Sequence, residues 1–209
     1  MTGQAKLIVF EGIDGSGKTT ISRRLATELG KTIPIVWLRE PGDSRWGKEI
    51  RRLAHQHSEV SPRRQLELFM KDRRENVRLR ILPALQSGHS VILDRYFYST
   101  ACYQGARGLE MEKILEENRR FAPEADLVIL VDLDVDTALE RIQAGRPESA
   151  PLFETRDFLQ KVRSNYLSLK GNHIHVVDGG RDAESVYREV EVLVARELAE
   201  LKGEEVKDF

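Results

Sequence analysis

A glycine-rich segment between an apolar run and a helical pattern constrains this chain more than any other feature. The segment, residues 10–20, reads FEGIDGSGKTT. The pattern G-x-x-x-x-G-K-[ST] is filled here by Gly12, Gly17, Lys18 and Thr19. The apolar run KLIVF (6–10) before it predicts a buried strand, and residues 18–29 after it predict a helix. Strand, glycine loop and helix in this order predict a phosphate-binding loop in an α/β fold.

The residue types in this loop suit a polyphosphate. Glycines let backbone N–H groups point inward at an anion, and the following helix adds its N-terminus. Lys18 supplies a positive charge near the terminal phosphates, and the Thr19 hydroxyl is a ligand for Mg²⁺. The predicted nucleotide-binding residues are Gly12, Ile13, Asp14, Gly15, Ser16, Gly17, Lys18, Thr19 and Thr20. The structural alternative is an ordinary glycine turn that caps a helix, and the loop alone does not separate GTP switches, ATPases and kinases.

Apolar runs alternate with helical patterns along the rest of the chain. Strands are predicted at 6–10, 34–38, 90–94, 126–133 and 173–177. Helices are predicted at 18–29, 44–56, 62–86, 110–121, 135–143, 156–170 and 182–202. This alternation predicts a single α/β domain over 1–209, in which helices flank a central parallel five-stranded sheet. The stretch AGRPESAPLFET predicts a short lid at about 144–156, and 203–209 are expected to form a frayed tail.

Composition argues against several classes of protein. Hydrophobic residues form 40% of the 209 residues, which is enough for a core, and the formal net charge is −1. That balance argues against a nucleic-acid coat protein and against a membrane-surface protein. No apolar run approaches the length of a membrane span, and the N-terminal residues do not follow a signal-peptide pattern. We therefore expect a soluble, cytoplasmic protein. Because Cys102 is the single cysteine, we also expect a reducing compartment.

A second segment, VILDRYFYSTACYQGARG (91–108), places charged residues at the end of a predicted buried strand. Asp94 lies at the carboxyl end of that strand, where α/β folds bind ligands. A carboxylate beside a phosphate-binding loop typically holds Mg²⁺, directly or through water. Arg95 follows with a guanidinium that suits phosphate. A structural Asp–Arg pair at a strand end is the alternative interpretation.

Four segments together resemble the thymidylate kinase family, in that family's order and close to its spacing. They are FEGIDGSGKTT (10–20), LREPG (38–42), LFMKDRRE (68–75) and DRYFYSTACYQGARG (94–108). The resemblance implies the P-loop kinase fold and transfer of the γ-phosphoryl of ATP to dTMP, giving dTDP in dTTP biosynthesis. It also implies Mg²⁺ as cofactor and a homodimer packed through helices, with no nucleic-acid or membrane partner.

The resemblance also implies a role for each matching residue on the acceptor side. Asp14 would contact the 3′-hydroxyl, although a turn-forming Asp is the alternative. Arg51 and Arg95 would approach the acceptor phosphate, and Tyr103 would lie under the sugar. Glu40 would arrange Arg95 or water on magnesium.

The base-reading positions implied by the resemblance fall on two segments. Phe69 would stack on thymine and Arg73 would bind its O4, and their spacing of four places them on one helix face. Thr100 and Gln104 would face the base edge. Without the resemblance, a core position for Phe69 and a solvated Arg73 are the preferred interpretation.

The donor side departs from the family's pattern. Arg141 would lie against adenine, near the loop VDGGRD (177–182). Family members carry an arginine for the transferring phosphoryl either in the phosphate-binding loop or in the lid, and Gly15 and Ser16 supply no such charge here. Leu152 stands where bacterial lids carry that arginine. We therefore predict that Arg146 supplies this arginine, with Arg156 as the alternative. The predicted catalytic residues are then Lys18, Asp94, Arg95 and Arg146.

Two other functions stay open at this stage. One is another deoxynucleotide or deoxynucleoside kinase on the same fold, because the base-facing residues do not fully separate dTMP from dUMP. The other is a nucleotide-binding paralogue with weak catalysis, which the altered lid alone supports.

Overall fold

The computed structural model describes residues 5–56, 60–144 and 155–199. Its centre is a five-stranded, wholly parallel sheet in the order β2-β3-β1-β4-β5. The strands are β1 Leu7–Glu11, β2 Ile35–Arg39, β3 Ser90–Asp94, β4 Leu127–Asp132 and β5 Ile174–Asp178. All five predicted strands are confirmed, each within about two residues of its expected ends.

The three middle strands are apolar at nearly every position because helices cover both faces of the sheet. Every residue of β1 and β3 is buried, and β4 is buried except at Asp132. In the register of β1 with β3, Phe10 lies beside Asp94, and the Arg95 N–H donates to the Phe10 carbonyl at 2.9 Å. The sequence segments that follow β1 and β3 are thereby brought side by side at one edge of the sheet.

The helices and helical segments alternate with the strands. They are α1 Lys18–Leu29, α2 Arg45–His55, α3 Pro62–Asn76, a π-helical segment Val77–Ile81, α4 Leu82–Gln86, α5 Phe97–Gly105, α6 Met111–Arg119, α7 Val135–Ala144, α8 Arg156–Ser168 and α9 Ala183–Ala199. The helix expected at 62–86 is therefore interrupted by a wider turn. That turn lies just before Pro83, whose missing N–H already interrupts an α-helical ladder. Across the described ranges, no helix has the length and apolar character that crossing a membrane requires.

Helix α5 was not expected from the sequence. Its N-cap residue, Tyr96, makes no side-chain cap. The cap comes instead from β1, where the Glu11 carboxylate accepts the N–H groups of Tyr96 at 2.8 Å and Ser99 at 3.1 Å. A cap supplied 85 residues away in the chain leaves no local signal, which explains why the helix is missed.

The phosphate-binding loop packs directly against α7. Gly15 has φ +82°, and a Cβ at this position would lie 2.5 Å from the Ala138 carbonyl oxygen. Gly88, in the turn before β3, has the same φ of +82° but open space around the Cβ position. The two glycines therefore share a backbone conformation and differ in their surroundings.

A comparison of Gly15 with Gly88 tests how strongly close packing at Gly15 restricts the residue there. Gly88→Ala should lower the free energy of unfolding by about 1–2 kcal/mol, which is the cost of a left-handed conformation. Gly15→Ala should lower it by clearly more, because the methyl group also displaces α7. Equilibrium denaturation without nucleotide measures both losses, and equal losses would contradict close packing at Gly15.

Candidate active site

The lysine of the phosphate-binding loop is buried and held by its own loop. The Lys18 Nζ donates to the Ile13 carbonyl at 3.0 Å and lies 3.5 Å from Asp14 Oδ1. Burial, together with the positive charge of Arg95, lowers the pKa of Lys18 to about 8, although nearby carboxylates act in the opposite direction. The loop thus holds a cation that a bound polyphosphate would stabilise.

Asp94 and Thr19 meet at the carboxyl ends of β3 and the loop. The Thr19 hydroxyl donates to Asp94 Oδ2 at 2.7 Å, and Arg39 Nε lies 3.5 Å from the same oxygen. Asp94 is fully buried, and its Oδ1 makes no hydrogen bond. A buried carboxylate oxygen without a donor, next to a threonine hydroxyl, fits a divalent cation that takes its remaining oxygens from phosphate and water.

No group of three or more His, Cys, Asp and Glu side chains in the described part of the chain could hold a metal ion by itself.

Arg95 occupies the centre of the site in a strained backbone conformation. Its φ is +68°, a value that residues other than glycine rarely adopt. Its guanidinium donates to Asp14 Oδ1 at 2.5 Å, to Ser99 Oγ at 3.2 Å and to the Tyr103 hydroxyl at 3.4 Å. The arginine therefore joins the phosphate-binding loop to helix α5.

Arg95 and Asp14 stabilise each other's charged forms, as the shifts of their pKa values indicate. Burial alone would raise the pKa of Asp14, but the Arg95 and Lys18 charges outweigh burial and hold that pKa well below its usual range. Burial alone would lower the pKa of Arg95, whereas Asp14 raises it well above its usual value. Arg95 and Asp14 are thus a charged pair, and half of the Asp14 side chain stays exposed to receive a ligand.

A buried carboxylate supports this pair from below. Glu11 caps α5, accepts the Ser99 hydroxyl in a short hydrogen bond and accepts the Tyr166 hydroxyl of α8 at 2.9 Å. Burial raises the pKa of Glu11, and the nearby Arg95 charge and these donors partly offset the rise. The contacts join β1, α5 and α8 beneath the loop.

A second buried arginine lies on the other side of α5. Arg73 is 1% exposed, and it donates from Nε to Glu40 Oε2 at 2.8 Å, from Nη1 to Asn118 Oδ1 at 2.8 Å and from Nη2 to Thr100 Oγ1 at 3.0 Å. The alternative of a solvated Arg73 is therefore wrong. Glu40 holds Arg73 rather than Arg95, and Asn76 Nδ2 also donates to Glu40. Burial raises the pKa of Glu40, and the Arg73 charge partly offsets that rise.

The remaining acceptor-side residues lie around this arginine. Phe69 is one turn before Arg73 on α3 and keeps part of its surface exposed, whereas the adjacent Leu68 is 1% exposed in the core. Gln104, one turn after Thr100 on α5, is buried and donates to Gln65 Oε1 at 2.8 Å. The four residues predicted to face the base thus lie on α3 and α5, and their role in reading a pyrimidine stays a prediction.

A loop after β2 fixes the third arginine of the acceptor side. The Arg51 Nη1 donates to the carbonyls of Pro41 and Gly42 at 2.9 Å each. Asp72 holds the same loop by accepting the Gly42 N–H at 2.7 Å and the Ser44 hydroxyl at 2.5 Å. Part of the Arg51 side chain remains exposed and available to an anion.

The residues predicted for the donor side meet in a contact between α7 and the loop after β5. Both terminal nitrogens of Arg141 lie 3.3 Å from the Gly179 carbonyl, to which they donate. A Cβ at Gly179 would lie 3.3 Å from the Ser16 carbonyl oxygen, so this loop packs against the phosphate-binding loop. The predicted adenine-side residues are therefore neighbours of the predicted phosphate-binding residues.

Comparison with known proteins agrees with this geometry. The family model described as thymidylate kinase matches residues 10–190. A protein of Archaeoglobus fulgidus named probable thymidylate kinase is 44% identical over 189 residues, which cover 90% of this chain and 94% of that protein. The thymidylate kinase of Xanthomonas euvesicatoria pv. vesicatoria is 43% identical over 195 residues, covering 93% of this chain and 85% of that protein.

The chain belongs to the thymidylate kinase family. The resemblance inferred from its motifs is thereby confirmed, and so is the P-loop kinase fold. Of the residues expected from the thymidylate kinase pattern, the structure brings Lys18, Thr19, Asp94 and Arg95 together at one edge of the sheet.

The two candidates for the lid arginine of thymidylate kinases differ in where they lie. Arg146, with most of the predicted lid, lies outside the described residues. Arg156, the alternative, begins α8 and forms a two-point salt bridge with Asp136 of α7, with nitrogen–oxygen distances of 2.5 and 2.8 Å.

Sequence reasoning missed several contributors to the site. Among them are Glu11, Asp72, Ser99, Asn118 and Tyr166. Glu11 left a signal, because a charged residue at the end of a wholly apolar run is buried only with partners. Asp72, Asn118 and Tyr166 act through contacts between distant segments, which no local pattern indicates.

The depressed pKa of Lys18 predicts a pH dependence for ATP binding. Without nucleotide, Lys18 loses its proton as pH rises above about 8, and a bound polyphosphate would raise that pKa again. ATP affinity should therefore fall as pH rises through about 8, and binding at about pH 9 should take up close to one proton per site. Titration calorimetry in two buffers of different ionisation enthalpy measures this uptake.

The matched control is Lys18→Arg, which keeps a charge that does not titrate in this range. Its proton uptake at about pH 9 should vanish. Equal uptake by Lys18→Arg and the unaltered protein, or none by either, would contradict the pKa of about 8.

Proposed function

We propose that the residues around Arg95 bring two phosphorylated nucleotides together in line. As a member of the thymidylate kinase family, the protein transfers the γ-phosphoryl group of ATP to dTMP, which gives dTDP. The observation that carries the proposed site is the contact of Arg95 with both Asp14 of the phosphate-binding loop and Ser99 of α5. One cation thus joins the donor loop to the acceptor helix.

The chemistry assigned to this chain is positioning and charge neutralisation. We assign the polyphosphate of ATP to 12–20, with the Lys18 charge beside its terminal phosphates. Arg51 and Arg95 bind the dTMP phosphate and offset repulsion between the two anions as they meet. Asp94 and Thr19 would hold Mg²⁺, which would neutralise charge on the phosphates when bound with ATP.

The acceptor's sugar and base are assigned to the two sides of α5. Asp14 accepts the 3′-hydroxyl, and Tyr103 lies under the sugar. Phe69 stacks on thymine while Arg73 donates to O4, and both residues project from α3. Thr100 and Gln104 complete the polar edge of the base site. On the donor side, Arg141 and the Gly179 loop lie against adenine.

We assign to Arg146 the positive charge that stabilises the phosphoryl group during its transfer. The phosphate-binding loop has Gly15 and Ser16 where an arginine would be needed, so the charge has to come from elsewhere. The salt bridge of Arg156 with Asp136 favours Arg146 over Arg156, because Arg156 would first have to leave a two-point contact.

The setting proposed for this activity is the cytoplasm, with the protein as a homodimer packed through helices. Cys102, the single cysteine, is buried, which suits a reducing compartment. Leu79, beside α3, is 55% exposed and offers an apolar contact to a second copy. Sedimentation equilibrium measures the oligomeric state, and a monomer at micromolar concentration would remove the dimer from the proposal.

An acceptor panel tests the function. ADP formation from ATP should depend on dTMP, be weaker by about 10–200-fold with dUMP, which lacks one methyl group, and be absent with thymidine. A preference for thymidine or for a non-thymine nucleotide would indicate another kinase of this fold. ATP hydrolysis unaffected by any acceptor would indicate a nucleotide-binding paralogue.

Paired arginine variants test the source of the phosphoryl-stabilising charge. Arg146→Ala should lower kcat at least about tenfold with little change in dTMP binding, because this charge acts mainly in the transition state. Arg156→Ala, the matched control, should leave kcat within about twofold, because exposed salt bridges contribute little. The opposite pattern would move the role to Arg156.

A further inference from the structure

Asn118 is a buried residue whose side chain the proposed reaction leaves without a role. It lies near the end of α6, is 0% exposed, and its Oδ1 accepts a hydrogen bond from Arg73 Nη1 at 2.8 Å. Its Nδ2 donates to the Ile114 carbonyl at 2.7 Å. Because a carbonyl only accepts, this second contact fixes which end of the amide is nitrogen, and the oxygen must face Arg73.

The Arg73 guanidinium is held from three directions. Glu40 after β2, Thr100 on α5 and Asn118 on α6 each accept from a different nitrogen. A guanidinium has five N–H groups, and Nη2 also lies 2.7 Å from Glu40. On Nη1, Asn118 takes one N–H, which leaves one N–H of that nitrogen for another acceptor.

The three contacts differ in what they restrain. Glu40 neutralises the charge and accepts along the Nε–Nη2 edge of the guanidinium, while Thr100 accepts from Nη2. Asn118 alone among these three acceptors contacts Nη1. Without Asn118, neither N–H group of Nη1 would have an acceptor among these three residues.

We propose that Asn118 is a positioning residue for base selection. It takes one N–H of Nη1 so that the other is directed at a carbonyl oxygen of the base, and it acts through Arg73 without touching the nucleotide. The inference rests on the proposed role of Arg73 as the reader of thymine O4. A base with an amino group at that position would meet a fixed donor and be disfavoured.

Two substitutions separate positioning from packing. Asn118→Leu keeps the branching at Cγ and removes the acceptor, whereas Asn118→Asp keeps an oxygen acceptor for Arg73 and loses the donor to Ile114. Dissociation constants for dTMP and dCMP are measured by calorimetry, with KM for ATP as the reference. Asn118→Leu should weaken dTMP about tenfold and leave dCMP and ATP within about twofold, and Asn118→Asp should restore dTMP binding.

Other results would overturn the inference. Equal weakening of dTMP, dCMP and ATP by Asn118→Leu would mean that Asn118 only supports the fold. Asn118→Asp as weak as Asn118→Leu would assign the effect to the Ile114 contact, and unchanged dTMP binding in Asn118→Leu would remove the residue from selection. If Asn118→Leu does not fold, Asn118→Ser is measured against the same criteria.

Arg73→Lys distinguishes failure of this inference from failure of the base-reading assignment. Lysine keeps the charge beside Glu40 and loses the planar fork. If Arg73→Lys keeps the preference for dTMP over dCMP, Arg73 does not read the base, and both proposals are overturned. If Arg73→Lys loses that preference while Asn118→Leu keeps it, the inference about Asn118 alone is overturned.

Discussion

The pairing of Arg95 with Asp14 is the interaction on which the rest of the site depends. Arg95 follows β3, the strand that pairs with the central strand β1, and has a left-handed φ of +68°, a conformation that persists only where the surroundings enforce it. Its side chain turns toward the phosphate-binding loop and contacts Asp14 at 2.5 Å. A buried cation without such a partner would be strongly destabilising, so loop and strand are fixed relative to each other by charge. Glu11 adds a second carboxylate beneath the pair and caps α5.

Helix α5 contacts both buried arginines, Arg95 and Arg73. Ser99 and Tyr103 are four residues apart, and both contact Arg95. Thr100 and Gln104 have the same spacing one residue later, and Thr100 contacts Arg73. Because residues four apart share a helix face, a single short helix separates the two arginines and sets the distance between them.

The sequence predicts the fold and the donor loop well because both follow from local patterns. Apolar runs gave all five strands, and the glycine loop gave the start of α1 at Lys18. It does not predict α5, whose cap comes from Glu11 in another strand. It also does not predict the partners of Arg73, since Glu40 and Asn118 come from segments 33 and 45 residues away in the chain. Long-range contacts between buried polar groups are decided by the assembled core, and the residues that make them look locally like solvated side chains.

The most direct test of this account is a crystal structure of the protein with dTMP, Mg²⁺ and a non-hydrolysable ATP analogue. We expect the dTMP phosphate within hydrogen-bond distance of Arg95, and Asp14 in contact with Arg95 or with the 3′-hydroxyl of dTMP. We also expect the base between Phe69 and Arg73, with the metal next to Asp94 Oδ1. A dTMP phosphate bound away from Arg95, with Arg95 still enclosed by Asp14 and Ser99, would contradict the central role of this arginine.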